Sequence, residues 1–456
     1  MSLQIVILAA GQGKRMFSDT PKILHQLAGK SMLERVVATA KQLNPDAIHI
    51  IYGHGGDKIK SALPHLVVNW VRQAEQLGTG HALMQALEHL PLTSQVLVLS
   101  GDVPLIQAQT LEKLINLSKN AVLGLLIASV ENPSGLGRII RNDQNEICAI
   151  VEEKDASPAQ RQIKEIYSGI CCVQVADLAR WLPNLSNDNA QGEYYLTEII
   201  LQAAAEHLAI ESLQVQSLLE IQGVNNRLQL QQLERDWQKL NAEQLMLSGV
   251  SIADANRLDV RGELRCEQDV FIDVNVVING TVKIGKGSRI GPNCVLTNVI
   301  IGENCEICAH SVLEDSHIAA HCVIGPFARL RPGTKLASHC KIGNFVETKN
   351  AQFDEGSKAN HLSYLGDVTL GQKVNIGAGT ITCNYDGVNK HQTIIEDNVF
   401  IGSDTQLVAP LTIGANATIG AGSTIRKNVP PGELSLTVTK QKTILGWKRP
   451  IKKETS

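Results

Sequence analysis

Val282-Lys283-Ile284-Gly285-Lys286-Gly287-Ser288-Arg289-Ile290-Gly291-Pro292-Asn293-Cys294 sets down an aliphatic–glycine pair at Ile284 and repeats it six residues later at Ile290. The pair returns at Ile324 and Ile342, at Leu370 and Ile376, and at Ile413 and Ile419. Within each couple the spacing is six residues or three times six, and between couples the phase slips, which implies insertions. Four residues after the aliphatic side chain stands a small one: Ser288, Cys294, Ala328, Thr380, Ala417, Ser423. Hexapeptide periodicity of this kind predicts a parallel β-helix, here over residues 250–437. A passive coil needs only its repeats. The polar interruptions at 347–361 and 384–390 are therefore where chemistry is expected.

Upstream of the repeat, apolar residues at Leu228, Leu233, Trp237, Leu240 and Leu245 follow helical spacing, and Gly249 reads as a C-terminal cap. Residues 225–249 are expected to form a linker helix roughly 35 Å long, a rigid connector between two domains. Before it, residues 1–224 alternate strand-like and helix-like patterns. Gln4–Ala10, Ile48–Tyr52 and Val96–Leu99 are aliphatic runs suited to strands buried on both faces, with helical patterns over Leu33–Leu43 and Gly80–Leu90 between them. Such alternation predicts an α/β domain with a parallel sheet and ligands at the carboxyl ends of its strands.

A chain of 456 residues exceeds one ordinary core, and 43% apolar content with a net charge of −3 describes a globular protein. Balanced charge argues against bulk affinity for nucleic acid or membrane. The run Ile5–Ala10 is too short to span a bilayer and follows no basic region, so a cytoplasmic protein is expected. Cys305 and Cys308 form the only CxxC, with no second pair to complete a zinc site. Cys294, Cys305, Cys322 and Cys340 instead take the small position of the hexapeptide, where a thiol packs as a small apolar group.

The first strand runs into Gly11-Gln12-Gly13-Lys14-Arg15-Met16 and then Pro21-Lys22. Glycines let backbone amides face a polyphosphate, and Arg15 and Lys22 would neutralise it. The spacing excludes the dinucleotide and Walker patterns. The longer string Leu8-Ala9-Ala10-Gly11-x-Gly13-x-Arg15-Met16-x4-Pro21-Lys22 resembles the signature of sugar-1-phosphate nucleotidylyltransferases. Further strings extend it: Gln73-Ala74-Glu75-Gln76-Leu77-Gly78-Thr79, Gly101-Asp102-Val103-Pro104-Leu105, Gly135-Leu136-Gly137-Arg138-Ile139, Val151-Glu152-Glu153-Lys154-Asp155-Ala156, and Gln191-Gly192-Glu193-Tyr194-Tyr195-Leu196-Thr197. With a hexapeptide domain following, the chain resembles the bacterial bifunctional N-acetylglucosamine-1-phosphate uridylyltransferase and glucosamine-1-phosphate N-acetyltransferase family over residues 2–450.

That resemblance implies a Rossmann-like nucleotidylyltransferase domain joined by a long helix to a left-handed β-helix. It implies Mg²⁺ on Asp102 and Asn225, with Lys22 and Arg15 as the catalytic cations on the phosphates of UTP. Leu8, Ala9, Gly11, Gly13, Gln73, Gly78 and Thr79 would complete the nucleotide site, and Gly137, Glu152 and Tyr167 would hold the sugar. Two positions depart from the family pattern: Tyr167 replaces an asparagine and Ser100 replaces a common tyrosine.

In the repeat, acetyl transfer from a thioester to an amine needs a base, and histidine suits neutral pH. His361 is the candidate, with Glu347 as the carboxylate orienting its ring. By resemblance, Arg331, Lys349 and Lys390 bind the phosphate of glucosamine-1-phosphate, and Tyr364, Asn375 and Asn384 its sugar. Ala378, Tyr385, Ser403 and Ala421 line the acetyl-CoA groove. In the tail, Val438 stands where an arginine for coenzyme A phosphate is expected, so Lys440 or Lys442 would substitute. Lys448, Arg449, Lys452 and Lys453 make residues 438–456 a basic tail. The resemblance also implies a homotrimer with clefts between subunits.

The leading expectation is an enzyme that acetylates glucosamine-1-phosphate and joins the product to UMP, releasing pyrophosphate. UDP-N-acetylglucosamine is a precursor of peptidoglycan and lipopolysaccharide. A monofunctional nucleotidylyltransferase with a regulatory or assembly β-helix is the alternative, and a scaffold with a degenerate catalytic domain is a third reading.

Overall fold

The computed structural model describes residues 2–53, 55–438 and 440–450, so Lys452 and Lys453 of the tail lie outside the described residues. The chain divides into two compact units between Trp237 and Gln238, inside the helix Arg227–Leu247.

The first unit is built on a sheet whose strands run in the order Ile210–Gln214, Leu123–Ser129, Glu165–Gln174, Gln95–Ser100, Leu3–Ala9, Ala47–Tyr52, Asn69–Arg72. Leu3–Ala9 is paired in parallel on both sides, with Ala47–Tyr52 and with Gln95–Ser100. Its side chains alternate between two buried clusters: Ile5, Ile7 and Ala9 join one, and Val6 joins the other. This is why the strand reads as a continuous apolar run. The chain's second and fourth neighbours in sequence flank the first strand, so the carboxyl ends part at this point and open a crevice.

The sheet is mixed, not parallel as the alternation predicts. Glu165–Gln174 runs antiparallel to both of its neighbours. Between Leu123–Ser129 and this strand the chain forms a hairpin, Gly137–Arg141 with Ile147–Val151, and no α-helix. A parallel return needs a crossover of a dozen or more residues, usually a helix, and none is available there.

In the second unit every strand pairing is parallel among the described residues, and the strands stack coil on coil. Arg289 pairs with Glu306 and Glu306 with Val323, seventeen residues apart each time; Val323 pairs with Lys341, eighteen on. The phase slips are thus mostly single-residue deletions from an eighteen-residue coil. One coil does carry an insertion, because Asn375 pairs with Phe400. The 384–390 interruption is that insertion. The 347–361 stretch is not a break: Glu347 pairs with Tyr364 and Lys358 with Asn375 in ordinary register. It reads as irregular because polar side chains fill its outward positions, while Thr348, Ala351, Phe353 and Ala359 remain buried.

The small residues Ser288, Cys294, Ala328, Thr380, Ala417 and Ser423 are all buried, as the repeat requires. Cys294, Cys305, Cys322 and Cys340 are buried free thiols. All four bond to carbonyls further along the coil, Cys294 Sγ to Cys308 O at 3.2 Å, Cys305 Sγ to Ala319 O at 3.0 Å, Cys322 Sγ to Ala337 O at 3.1 Å and Cys340 Sγ to Asp354 O at 3.2 Å. A packing role explains them. At one corner Asn293, His310, Phe327, Phe345, Leu362 and Asp404 all have positive φ. The tight corner imposes this conformation, and asparagine, aspartate and histidine tolerate it better than the other three.

Helix Arg227–Leu247 has 21 residues, about 31 Å at 1.5 Å each. Asn226 caps its start through Oδ1, which accepts from Gln229 N at 2.8 Å. At its end Gly249 has φ +100°, Gly249 N donates to Met246 O and Val250 N to Leu245 O, each at 3.1 Å, which is a Schellman arrangement. Leu233 is buried as expected, but Leu228 and Leu240 are exposed. Among the described residues, no helix is long and apolar enough to cross a membrane.

Two candidate active sites

A cavity of about 590 Å³ lies at the carboxyl ends of Leu3–Ala9 and Gln95–Ser100. Of the residues singled out in the sequence, Leu8, Ala9, Gly11, Lys22, Gln73, Gly78, Thr79 and Asp102 line it. Gln76, Ser100 and Glu193 line it too. At Gly13 a Cβ would lie 2.6 Å from the Lys22 Cβ, and φ is +61°. The second glycine of the loop therefore brings Lys22 close beneath it.

Lys22 Nζ is the hub. It bonds to Asp102 Oδ2, and to Asn225 Oδ1 at 2.8 Å. Arg15 Nη2 donates to the same Asn225 oxygen at 2.9 Å. Asn225 is held there from three sides. Val224 N donates to Asp102 O at 3.0 Å, Asn225 N donates to Gln229 Oε1 at 2.7 Å, and the helix cap follows at Asn226. Ser100, the departure from the family pattern, donates from Oγ to Asp102 Oδ1 at 2.7 Å. Its hydroxyl fixes the carboxylate, a role signalled along the chain only by its proximity to Asp102.

Two hard oxygen donors, a carboxylate and an amide, thus converge on one cation. That donor set suits magnesium, which takes few protein oxygens and leaves the rest to water and phosphate. Among the described residues no group of three or more His, Cys, Asp or Glu side chains is placed for a metal.

Glu152 lies beside Gly137: a Cβ there would be 3.6 Å from either carboxylate oxygen. Burial pushes the Glu152 carboxyl up from its ordinary value, while Thr197 Oγ1, donating at 3.3 Å, pulls it down. Tyr167 is different. It is 8% exposed, belongs to the core cluster and does not line the cavity. Antiparallel pairing with Ile127 and Gly137 sets its ring in the core, against Cys171 and within reach of the Glu152 charge.

In the second unit, the register sets His361, Ala378, Ser403 and Ala421 at equivalent positions of successive coils. Gly379 N donates to His361 O at 3.4 Å, Asp404 N to Ala378 O at 2.7 Å and Gly422 N to Ser403 O at 2.8 Å. The four form one line up an edge, about 4.8 Å per step. Asn375 lies on the strand leading to that edge.

His361 is not oriented by Glu347. Its Nδ1 is 2.9 Å from Asn344 Oδ1, the equivalent position one coil earlier, while Glu347 is engaged at 2.8 Å by Arg331 Nη1. An arginine at that distance outcompetes a neutral ring for a carboxylate. Asn344 was missed because its place is visible only in the register. With the amide oxygen accepting, Nδ1 carries the hydrogen and Nε2 keeps a lone pair.

Lys349, Lys390 and Arg331 gather nearby. The Lys390 ammonium beside it, and Arg331 beyond, hold Lys349 below the ordinary lysine value. Such mutual repulsion is relieved by an anion. Asn384 donates from Nδ2 to Asp367 Oδ2 at 2.5 Å. The insertion that follows is a tight hairpin, with Tyr385 bridged to Lys390 and His391 N donating to Asn384 O at 2.8 Å. Asp386 pins it: its Oδ1 accepts from Val388 N at 2.8 Å and Asn389 N at 2.7 Å, and its Oδ2 faces His391 Nε2 at 2.7 Å. Tyr385 is exposed, and in the tail Val438 and Lys440 are exposed.

Gly366 lies under Tyr364 and Asn384. A Cβ there would meet Tyr364 Oη at 2.4 Å and Asn384 Nδ2 at 2.9 Å. Both obstacles are side-chain ends, so Gly366→Ala should fold and displace them. The expected result is a rise of roughly tenfold in KM for the amino-sugar phosphate, equivalent to one good hydrogen bond lost. Steady-state kinetics check it; an unchanged KM would place the sugar elsewhere.

Residues 5–143 match the MobA-like NTP transferase domain family, residues 260–346 the GMPPB C-terminal domain and residues 392–427 the bacterial transferase hexapeptide (six repeats) family. Over 459 aligned residues the chain is 68% identical to the bifunctional protein GlmU of Legionella pneumophila (strain Corby), covering 100% of both. It is 55% identical to the bifunctional protein GlmU of Marinobacter nauticus over 450 residues, 99% of each.

Proposed function

The chain belongs to the GlmU family of bifunctional uridylyltransferase–acetyltransferases, and from that premise we propose how its residues divide the two reactions. One observation carries the division. A cation-centred pair of oxygens borders the cavity of the first unit, whereas an imidazole with a free Nε2 stands on an edge of the second.

In uridylyl transfer, the later of the two reactions, a phosphate oxygen of N-acetylglucosamine-1-phosphate attacks the α-phosphorus of UTP. A new P–O bond forms, the bond to the β-phosphate oxygen breaks, and pyrophosphate leaves. The nucleophile is already anionic, so no protein base is needed and catalysis is alignment and charge stabilisation. Lys22 and Arg15 face the phosphates, and the Gly11–Gly13 loop cradles them. Gln73, Gly78 and Thr79 hold the base, and Gly137 and Glu152 the sugar. Asp102 and Asn225 are the groups that would hold Mg²⁺, which when bound supplies charge neutralisation on the polyphosphate.

In acetyl transfer, which comes earlier, the amine of glucosamine-1-phosphate attacks the thioester carbon of acetyl-CoA. The C–N bond forms, His361 Nε2 takes the proton that the attacking nitrogen sheds, the C–S bond breaks, and that proton passes to the leaving thiolate, so coenzyme A departs as the thiol. Arg331, Lys349 and Lys390 bind the phosphate; Tyr364, Asn375 and Asn384 contact the sugar. Ala378, Tyr385, Ser403 and Ala421 line the path of the donor, with Lys440 toward its phosphate. A homotrimer fits the edge, where the exposed Phe327, Phe345 and Leu362 would find cover. The free thiols suit a reducing cytoplasm.

The test separates the half-reactions in excess chelator. Pyrophosphate release should fall to background and recover with added magnesium, while acetyl transfer continues unchanged. Loss of both, or of neither, overturns the division.

A further inference from the structure

Gln73 lines the cavity yet is only 2% exposed, and a histidine away from the reacting phosphates fixes its amide. Its backbone extends the strand Asn69–Arg72, with Gln73 N donating to Tyr52 O at 2.8 Å. Its Nε2 lies 3.2 Å from Gly78 O and 3.1 Å from His81 Nδ1. An amide nitrogen has two hydrogens to give and accepts none. One goes to the carbonyl; the other requires a bare Nδ1. Turned over, the amide would set its oxygen against the Gly78 carbonyl and the ring lone pair, with no hydrogen among three acceptors. On the far side of the ring, Gln85 Nε2 donates to the His81 backbone carbonyl at 3.2 Å and lies 3.3 Å from His81 Nε2; with Nδ1 bare that ring nitrogen carries the hydrogen, so the second approach is a contact and not a hydrogen bond.

We propose that His81 determines nucleobase choice by holding the Gln73 amide with its nitrogen spent and its carbonyl oxygen offered to the base. An oxygen at that position accepts from a ring N–H, as in uracil, and repels a ring lone pair, as in cytosine. His81 touches no substrate; it is a positioning residue. The inference rests on the reading that Gln73 recognises the base.

The test compares full-length wild type, His81→Leu, His81→Asn and Gln73→Ala by kcat/KM with UTP and with CTP, read as pyrophosphate release. Acetyl transfer by the same preparations checks folding. Wild type should favour UTP by about a hundredfold or more, because a mismatched base leaves a buried polar group unpaired. His81→Leu should lower that ratio at least about tenfold, as the amide is freed to turn. In His81→Asn, Oδ1 stands near the position of Nδ1 and still accepts, so the ratio should stay within about threefold of wild type. A His81→Leu ratio equal to wild type overturns the proposal, as does loss of preference in His81→Asn. If His81→Leu turns over neither nucleotide, the asparagine variant decides. Gln73→Ala separates the two readings. A wild-type ratio there removes Gln73 from base recognition, whereas a collapsed ratio beside an intact His81→Leu removes His81 alone.

Discussion

Asp102→Ala should lower uridylyl transfer by about a thousandfold or more, corresponding to about 4 kcal/mol of transition-state stabilisation, while acetyl transfer stays at the wild-type rate. The carboxylate does two things in the structure. It supplies one of the two oxygens suited to magnesium, and it anchors the Lys22 ammonium that faces the phosphates. Its removal leaves Lys22 with the Asn225 oxygen alone, shared with Arg15. Asp102→Asn keeps the shape but loses the charge, so it should recover little. Measuring pyrophosphate release and coenzyme A release on one preparation decides the matter. A variant that kept a tenth of its uridylyl transfer would move the metal site away from Asp102.

The complementary substitution is His361→Ala. General-base catalysis contributes roughly a hundredfold to ten-thousandfold, and a fall in acetyl transfer of about a thousandfold is expected with uridylyl transfer unaffected. The remaining activity should rise with pH, because the free amine then forms without a protein base. Asn344→Ala should cost less, about tenfold, since it frees the ring to turn without removing it. Near-full acetyl transfer in His361→Ala would transfer the role of base to another group, and a flat pH response of the residue-less enzyme would say the proton is not the obstacle.

Much of this was legible from residue types at fixed spacing. The aliphatic–glycine pairs gave the β-helix because each inward position must be apolar and each tight position small, at every coil. The glycine loop, Lys22 and Asp102 were legible because they follow buried strands directly. What stayed hidden depends on pairing across the chain. Asn344 meets His361 only through register, and Asn225 reaches Lys22 through a helix cap and a backbone bond to Asp102. The stretch 347–361 misled because outward polarity resembles a broken rhythm. The burial of Tyr167 was not legible because a motif position does not say which face of an antiparallel strand it occupies. The same hairpin return made the sheet mixed, and no local propensity marks that change of direction.

The line from His361 through Ala378 and Ser403 to Ala421 has one more consequence. Its rungs are whole coils, so its length changes only in units of one strand spacing, about 4.8 Å. A graft or deletion of one complete coil would lengthen or shorten the track by a single rung and leave the pairing above and below intact. Point substitutions can alter what each rung offers, but not how far it stands from the imidazole. Reach along this edge is digital, counted in turns of the chain.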